Sequence, residues 1–461
     1  MIPLIKGQRK SNYDYRSNLL INATAIVEKI EGDQGYVLAH DGLTEFAETG
    51  GSARGAYFNQ RLNSHFRVSG DNLEEVSEYG VVTQIGVISG VDDCSFAESF
   101  NTQAVVSGGN MWLYDGYTLQ KLILDFAPID VTWFRGVYVM TDGDSLYHTR
   151  LADETDVPIL AYTSSEFAAD PIKGVLRTDS NEIIAFNRYS TEYFYFNANA
   201  PTGTSVLQVI SGKSSKVGIV GTHCKCFLDG RVFILGGRID ESPSIHIVQG
   251  AGEQTVATRE IDKIIATYSE EELETAYMEA RTVDRDKFVI IHLPNHTLLY
   301  NHTVGSKVGI DNAWSLLKTG EQDAWRAKYG IFDPRNSKWI YGDTTSNKLA
   351  YLDQQSFAQF DEAQEMLLYT PLIPAKMQSL TQIEMDTISG YAANAESCFM
   401  SLSHDGVVWS EEYPVEISKP FDYGVNFIAR RLGFVKTSFS LRFRFRSKDK
   451  MAFSGLEVKL G

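Results

Sequence analysis

Histidines and cysteines are the first side chains to consider, because they bind metals and carry redox chemistry. Three histidines lie close together, at His292, His296 and His302. A proline between the first two, in a strand-like context, argues against a helix that would place such a pair on one face. Cys224 and Cys226 are two residues apart, which in a strand puts both thiols on one buried face. We therefore predict no metal centre, no catalytic residue and no cofactor.

One acidic turn invites comparison with glycosidases. The segment Ser403–Trp409 is similar to the Asp-box hairpin of sialidases, which are β-propeller enzymes with paired carboxylates. It lacks the usual residue between Asp405 and Gly406, and it occurs once. An Asp-Gly pair between two apolar strands also predicts an ordinary hairpin turn, and we favour that interpretation. The sequence contains no nucleophile elbow, no Walker loop and no dinucleotide-binding glycine motif.

A basic segment stands out near the C-terminus. Residues 430–450 include eight basic residues and one acid, in a chain whose net charge is −17. Three of the arginines alternate with two phenylalanines, so a strand there would carry three guanidinium groups on one face and bury rings on the other. We predict a docking surface for an acidic partner or for phosphate, and a solvated outer face is the alternative. The predicted interface residues are Arg430, Arg431, Arg442, Arg444 and Arg446.

The composition indicates which elements position these side chains. The chain has 461 residues, with 25 Phe, 23 Tyr, 37 Gly and 12 Pro, a usage typical of short strands joined by tight turns. The excess of acids argues against a surface that wraps DNA. Four scattered cysteines favour a reducing compartment. No apolar run approaches the length of a membrane span, and the N-terminus turns polar after Ile5, so we expect neither a span nor a signal peptide.

About seven units of strand, turn and strand recur along the chain, each with three or four short antiparallel strands. This pattern predicts an all-β fold, a β-propeller of about six or seven irregular blades; a stacked pair of sandwiches is the alternative. We predict one short helix near 269–280, where Ser269 and Glu272 form a capping box, and a weaker helix over Phe357–Leu368. The seven units cover residues 56–76, 99–116, 131–151, 174–196, 221–248, 280–301 and 329–353.

The pattern changes after about Gln354, where longer alternating strands follow one another over roughly a hundred residues, as in a β-sandwich. We therefore predict three regions. Residues 1–55 form an N-terminal strand or arm that completes the propeller, residues 56–368 form the propeller, and residues 369–461 form the C-terminal sandwich.

Several segments resemble one protein family, and they occur in the same order along the chain from about Gly55 onward. The strongest resemblance covers Glu260–Asn301, and weaker ones include GTHCKCFLDGRVFI, NAWSLLKTG, QEMLLYTPLIPA and the closing GLEVKL. The chain in these segments is similar to the packaged-DNA stabilisation or tail hub (nozzle) proteins of short-tailed double-stranded-DNA bacteriophages.

The resemblance implies a virion structural protein of the phage tail, made in the host cytoplasm, and no catalytic residues. It implies a homohexameric ring below the portal and its adaptor protein, which extends the DNA exit channel, retains the packaged DNA and holds a tail needle or plug and tailspikes or fibres. Double-stranded DNA would pass through without sequence-specific binding. The alternative function is a carbohydrate-active propeller, either a glycosidase or a glycan-binding receptor module.

Overall fold

A computed structural model describes residues 2–3, 18–27, 35–201, 204–388, 395–415 and 427–461. Of the residues that the structure describes, strands make up 54% and helices 5%, which confirms the predicted all-β class. The N-terminal region contributes five strands: β1 (Ile2–Pro3), β2 (Leu20–Ile21), β3 (Ala23–Ile26), β4 (Tyr36–Ala39) and β5 (Gly42–Glu48). Residues 4–17 and 28–34 of the predicted N-terminal arm lie outside the described residues.

The first four blades are consecutive four-stranded antiparallel sheets. Blade 1 contains β6 (Ala53–Asn59), β7 (Ser64–Ser69), β8 (Asn72–Val76) and β9 (Val82–Val87). Blade 2 contains β10 (Ser95–Glu98), β11 (Gln103–Ser107), β12 (Asn110–Tyr114) and β13 (Leu119–Lys121). Blade 3 contains β14 (Asp130–Phe134), β15 (Val137–Thr141), β16 (Ser145–His148) and β17 (Tyr162–Ser164). Blade 4 contains β18 (Ile172–Arg177), β19 (Ile183–Asn187), β20 (Thr191–Phe196) and β21 (Leu207–Val209).

Three further blades complete seven within the described part of the chain. Blade 5 has a split first strand and contains β22 (Gly218–Ile219), β23 (Lys225–Leu228), β24 (Arg231–Gly237), β25 (Ser244–Gln249) and β26 (Gly252–Thr255). Blade 6 contains β27 (Tyr277–Val283), β28 (Asp286–His292), β29 (Thr297–Asn301) and β30 (Trp314–Leu317). Blade 7 contains β31 (Ala327–Asp333), β32 (Lys338–Asp343) and β33 (Lys348–Asp353), and the N-terminal β5 is its fourth strand.

The blades close into a ring because the first strand of blade 7, β31, contacts the first strand of blade 1, β6. Apolar clusters lie between successive blades; Phe66, Val105 and Trp112, for example, join blades 1 and 2. Since each blade buries its apolar face only against a neighbour, the ring and its closing strand β5 supply the core together. The predicted β-propeller is confirmed.

The helices differ from the predictions. The described helices are α1 (Arg259–Ile265), α2 (Glu270–Glu274), α3 (His302–Lys307) and a 3-10 turn at Ile310–Asn312. The capping box of Ser269 and Glu272 is present, but α2 is a single turn and the chain enters β27 at Tyr277. The predicted extension to residue 280 is therefore wrong, because pairing with β28 outweighs the local helical spacing.

The second predicted helix, over Phe357–Leu368, is also wrong. Phe360 and Asp361 have positive φ angles of 50° and 66°, which a helix does not accommodate. The chain then forms strand β34 (Gln364–Tyr369), where buried and half-buried residues alternate and every residue pairs with a later strand. The apolar residues at 366 and 368 thus follow the period of a strand, and the spacing of three and four was coincidental.

The C-terminal region is the predicted β-sandwich. After β34 it contains β35 (Ile373–Pro374), β36 (Gln378–Thr387), β37 (Ala395–Ser403), β38 (Tyr413–Pro414), β39 (Phe427–Val435), β40 (Ser438–Ser447) and β41 (Ala452–Leu460). One sheet has the order β3-β4-β41-β36-β39, with β1 beside β41, and the other includes β2-β34-β40-β37-β38, with β35 beside β40. The two sheets share a core rich in phenylalanine, including Phe427, Phe443, Phe445 and Phe453.

The sandwich and the propeller share a sheet. Strand β2 pairs in parallel with β30 of blade 6 and in antiparallel with β34 of the sandwich. Of the N-terminal strands, β3 and β4 pair within the sandwich, whereas β5 closes blade 7. The domain bounds 1–55, 56–368 and 369–461 stay a prediction.

Candidate functional site

Charged side chains from blades that are not neighbours meet near the propeller axis. Asp93 stands just before blade 2, and its carboxylate meets the Lys328 ammonium at 3.0 Å and accepts a hydrogen bond from the Tyr329 hydroxyl. Both partners belong to blade 7, so the contacts pass over the intervening blade 1. Burial alone would raise the pKa of Asp93, but Lys328 and these hydrogen bonds outweigh it and lower the pKa.

A second ion pair crosses the ring on the other side of the axis. Lys225 of blade 5 contacts Asp130 of blade 3 at 2.7 Å, and both side chains are more than nine-tenths buried. The Asp130 carboxylate also accepts a hydrogen bond of 2.8 Å from the backbone N–H of Val175 in blade 4. Three blades are therefore tied together at one carboxylate.

The predicted basic strand is present as β40. Phe443 and Phe445 are buried in the sandwich core, while Arg442, Arg444 and Arg446 lie on the outer face of the sheet, as the alternation predicted. The same face carries aromatic rings, because the Arg442 guanidinium lies 5.3 Å from the Trp409 ring centre. This outer face, formed by the three arginines of β40, is called the arginine face below.

Carboxylates of the same chain meet two of these arginines. Arg444 contacts Glu365 at 2.8 Å and also pairs with Glu412, whose carboxylate lies 3.5 Å from Arg442. These carboxylates already reduce the repulsion between the neighbouring guanidinium groups. The arginine face therefore depends less on an external acidic partner for its charge balance. The arginine face remains a predicted docking surface.

The structure does not gather all five predicted interface residues. Arg430 and Arg431 are exposed in β39, which belongs to the other sheet of the sandwich. Outer faces of two packed sheets point away from their shared core, so these two arginines lie on a different side of the molecule from the arginine face. The five arginines are close in the sequence, but they do not share one surface.

The histidines and cysteines occupy structural positions. His292 contacts Glu279 at 3.0 Å, and the described residues contain no group of three metal-binding side chains. Cys224 and Cys226 are both buried and unbridged, which confirms the prediction of core thiols. Burial raises the pKa of Cys224 to about 12, so that its thiol stays protonated at neutral pH.

The acidic turn after β37 is held by hydrogen bonds between Asp405 and the turn's own backbone. Oδ1 of Asp405 accepts hydrogen bonds from the N–H groups of Val407 and Val408 at 2.8 and 2.9 Å. These bonds lower the pKa of Asp405 to about 2. Because its carboxylate is committed to the backbone, the segment functions as a turn, as the hairpin interpretation predicted.

The comparisons with known proteins decide the family. A family model described as bacteriophage P22 Gp10, β-propeller, matches residues 1–357, and a model described as bacteriophage P22 Gp10, β-sandwich, matches residues 365–461. The chain belongs to the bacteriophage P22 Gp10 family. A curated relative, the tail hub protein gp10 of Salmonella phage P22, is 29% identical over 478 residues, which cover 100% of this chain and 99% of the relative.

Solved structures similar to this Gp10-family chain include the following two. Virginiamycin B lyase from Staphylococcus aureus has a TM-score of 0.43 and 10% identity, covering 68% of this chain and 98% of the lyase. The β-propeller domain of Cps50 (Swd1) from Myceliophteria thermophila has a TM-score of 0.42 and 12% identity over 68% of this chain and 98% of the domain. In the described part of the chain, no helix is both long and apolar enough for a membrane span.

Sequence reasoning missed the charged residues of the propeller axis. Asp93 and Lys328 are 235 positions apart, and neither lies in a recognisable motif. Such a pair can be recognised only in the closed ring, because ring closure brings residues at the start of blade 2 next to blade 7. The arginine face was found because its alternating pattern is local.

Proposed function

We propose that this chain is the tail hub protein of a short-tailed phage, a structural component of the virion that forms a ring around the DNA exit path. The observation that carries the proposal is the full-length match to the tail hub protein of phage P22, which spans the propeller and the sandwich in the same order. A match over both domains favours the same architecture and the same place in the particle.

The ion pairs near the propeller axis bear on where the DNA would pass. A DNA duplex has a major groove about 12 Å wide, and the whole helix is wider still. The pairs Asp93–Lys328 and Lys225–Asp130 occupy the interior of the propeller at contact distances of 3.0 and 2.7 Å. The exit channel is therefore enclosed between several copies of the chain and does not run through any one propeller.

The charge of the chain suits a conduit. With a net charge of −17, the protein repels the phosphates of DNA and does not hold them in place. DNA then slides past the wall without sequence-specific binding. In this proposal the ring sits below the portal-bound adaptor, retains the packaged genome, and anchors a tail needle or plug and the tailspikes or fibres.

Binding to portal–adaptor particles tests this proposal. Purified chain is mixed with particles that contain the portal and adaptor of the same phage, and the mixture is separated by sedimentation. We expect the chain to travel with the particles and to reduce the release of DNA from packaged heads. A chain that stays at the top of the gradient contradicts the proposal, as does sugar release in a reducing-sugar assay that a single carboxylate substitution abolishes.

A further inference from the structure

Two exposed patches of opposite charge lie at opposite ends of the molecule. We propose that copies of this chain associate head to tail, with the far end of the sandwich of one copy docking on the outer edge of blade 3 of the next. The inference rests on the proposed ring and names the surfaces that would build it. The sandwich tip comprises Lys376, Met377, Val407, Val408, Arg431, Phe434 and Lys436. The blade 3 rim comprises Leu151, Asp153, Asp156, Ile159, Leu160, Tyr162 and Glu166.

The sandwich tip lies at the N-terminal end of β40, the end away from the segments that link the sandwich to the propeller. Strand β40 meets the linking segments at its C-terminal end, where Ser447 pairs with Gln364 of β34. Its other end follows the turn at 436–437, about 30 Å away for a ten-residue strand. The N–H of Met377 donates to the carbonyl of Lys436 at 3.1 Å, and the Ser438 hydroxyl donates to the carbonyl of His404 at 3.3 Å. These bonds gather three separate loops into one surface.

The sandwich tip is apolar and basic. Met377 and Val408 are 68% and 71% exposed, and Val407 and Phe434 are more than half exposed. Exposed apolar clusters of this kind mark interaction sites. The three cations of the tip make no salt bridge with any residue that the structure describes; they are Lys376, Arg431 and Lys436. Over 427–461 there are nine Lys or Arg and two Asp or Glu, a net charge of +7 against the acidic background of the chain.

The blade 3 rim is apolar and acidic. Ile159 and Leu160 are 72% and 71% exposed, and Leu151 and Tyr162 are at least half exposed. Residues 151–167 include four acids and no Lys or Arg, and all of the acids except the buried Glu154 are at least partly exposed. One of the acids, Asp156, pairs with Arg150 at 2.5 Å, and Asp153 is solvent-exposed. The rim thus offers carboxylates around an apolar centre, the complement of the cations around the apolar centre of the tip.

The positions of the two patches decide the kind of contact. The sandwich is joined to blade 6 through β2 and to blade 7 through a bridge between Leu43 and Gln359. In a ring of seven blades, blade 3 lies opposite the boundary between blades 6 and 7. A tip-to-rim contact therefore joins two different surfaces that lie on opposite sides of the folded molecule. Such heterologous contacts close into a ring when the rotation between copies permits.

Complementation between two variants tests this geometry. The tip variant carries Met377→Asp and Val408→Asp, and the rim variant carries Ile159→Lys and Leu160→Lys. A matched control, Ile123→Lys, changes a 98% exposed residue that lies just after β13 of blade 2 and outside both patches. Circular dichroism and thermal melting check that each is folded, and analytical ultracentrifugation with mass photometry measures the oligomer, alone and on portal–adaptor particles.

We expect the wild-type chain and the control to form the same ring, and each variant alone to lose it and sediment as a monomer. A mixture of the two variants should form a dimer and nothing larger, because one intact tip and one intact rim remain in each pair. Rings formed by either variant, or a mixture without dimers, overturn the inference while leaving the proposed function intact. A wild-type chain that is monomeric both in solution and on the particles contradicts the proposed function as well.

Discussion

The ammonium of Lys328 in blade 7 lies 3.0 Å from the carboxylate of Asp93, which precedes blade 2, so this ion pair spans blade 1 at the propeller axis. Both side chains are mostly buried, with 16% and 22% of their surface exposed. A buried pair gains little net energy over an apolar pair, but removal of one partner leaves an uncompensated charge. Loss of either partner of this pair is thus expected to destabilise the closed ring.

We expect Lys328→Met to lower the free energy of unfolding by about 3 kcal/mol, because Asp93 is left buried without its cation. The double variant Lys328→Met with Asp93→Asn should recover most of this loss. Urea unfolding measures both. Lys448→Met is the matched control, since its pair with Asp361 is exposed, and it should change stability by less than about 1 kcal/mol. If Lys328→Met loses no more stability than the control Lys448→Met, the Asp93–Lys328 pair does not contribute to closing the ring.

The sequence predicted those features that local patterns encode. Alternation placed Phe443 and Phe445 in the core and their arginine neighbours outside. The capping box at Ser269 marked the start of a helix but not its end, because the end depends on pairing with a strand that follows in the chain. Ion pairs such as Asp93–Lys328 depend on ring closure, and no local pattern of charges reveals them.

The closing strand of blade 7 is predicted to stabilise the whole ring. Leu43 of β5 is buried among side chains of blades 6 and 7, including Phe288 and Tyr341. Leu43→Ala should cost about 3 kcal/mol, because it leaves a cavity between blades that only this strand fills. Glu45→Ala in the same strand removes an exposed residue paired with Lys348 and should change stability by at most about 1 kcal/mol. Equal effects in urea unfolding would show that β5 is not part of the cooperative core.

His40 makes stability depend on pH at the junction of propeller and sandwich. Its Nε2 accepts a hydrogen bond of 2.8 Å from Arg281, so Nδ1 carries the proton and donates to the Asp41 carbonyl at 2.9 Å. Burial, then Arg281 and Lys450, lower the pKa of His40 well below its usual value. The imidazole of His40 therefore stays unprotonated in the native state below pH 6.5, whereas in the unfolded chain it takes up a proton.

Stability should accordingly fall as pH decreases from about 6.5, by up to about 1.4 kcal/mol per pH unit from this histidine. His40→Gln should reduce that slope when urea unfolding is compared at pH 7.5 and pH 5.5. His404→Gln alters an exposed histidine and serves as the control, for which the wild-type slope is expected. An unchanged slope in His40→Gln would contradict the assigned tautomer and environment.

The arginine face is predicted to contribute to assembly more than to folding. Substitution of Arg442, Arg444 and Arg446 by Ser should leave the monomer folded and cost no more than about 1 kcal/mol per ion pair removed. Binding to portal–adaptor particles should weaken, and added salt should narrow the difference from wild type. Arg430→Ser with Arg431→Ser tests the other sheet in the same assay. If binding of the triple variant equals that of wild type at low and at high salt, the face is a solvated surface.

The path of the DNA tests the central claim most directly. A cryo-electron microscopy map of the phage tail that carries this chain would locate every propeller relative to the exit channel. We expect a ring of copies with the channel between them, propeller axes away from the DNA and closed by side chains such as Asp93 and Lys328. DNA density along the axis of a propeller, or a tail that retains its genome without this chain, would contradict the account.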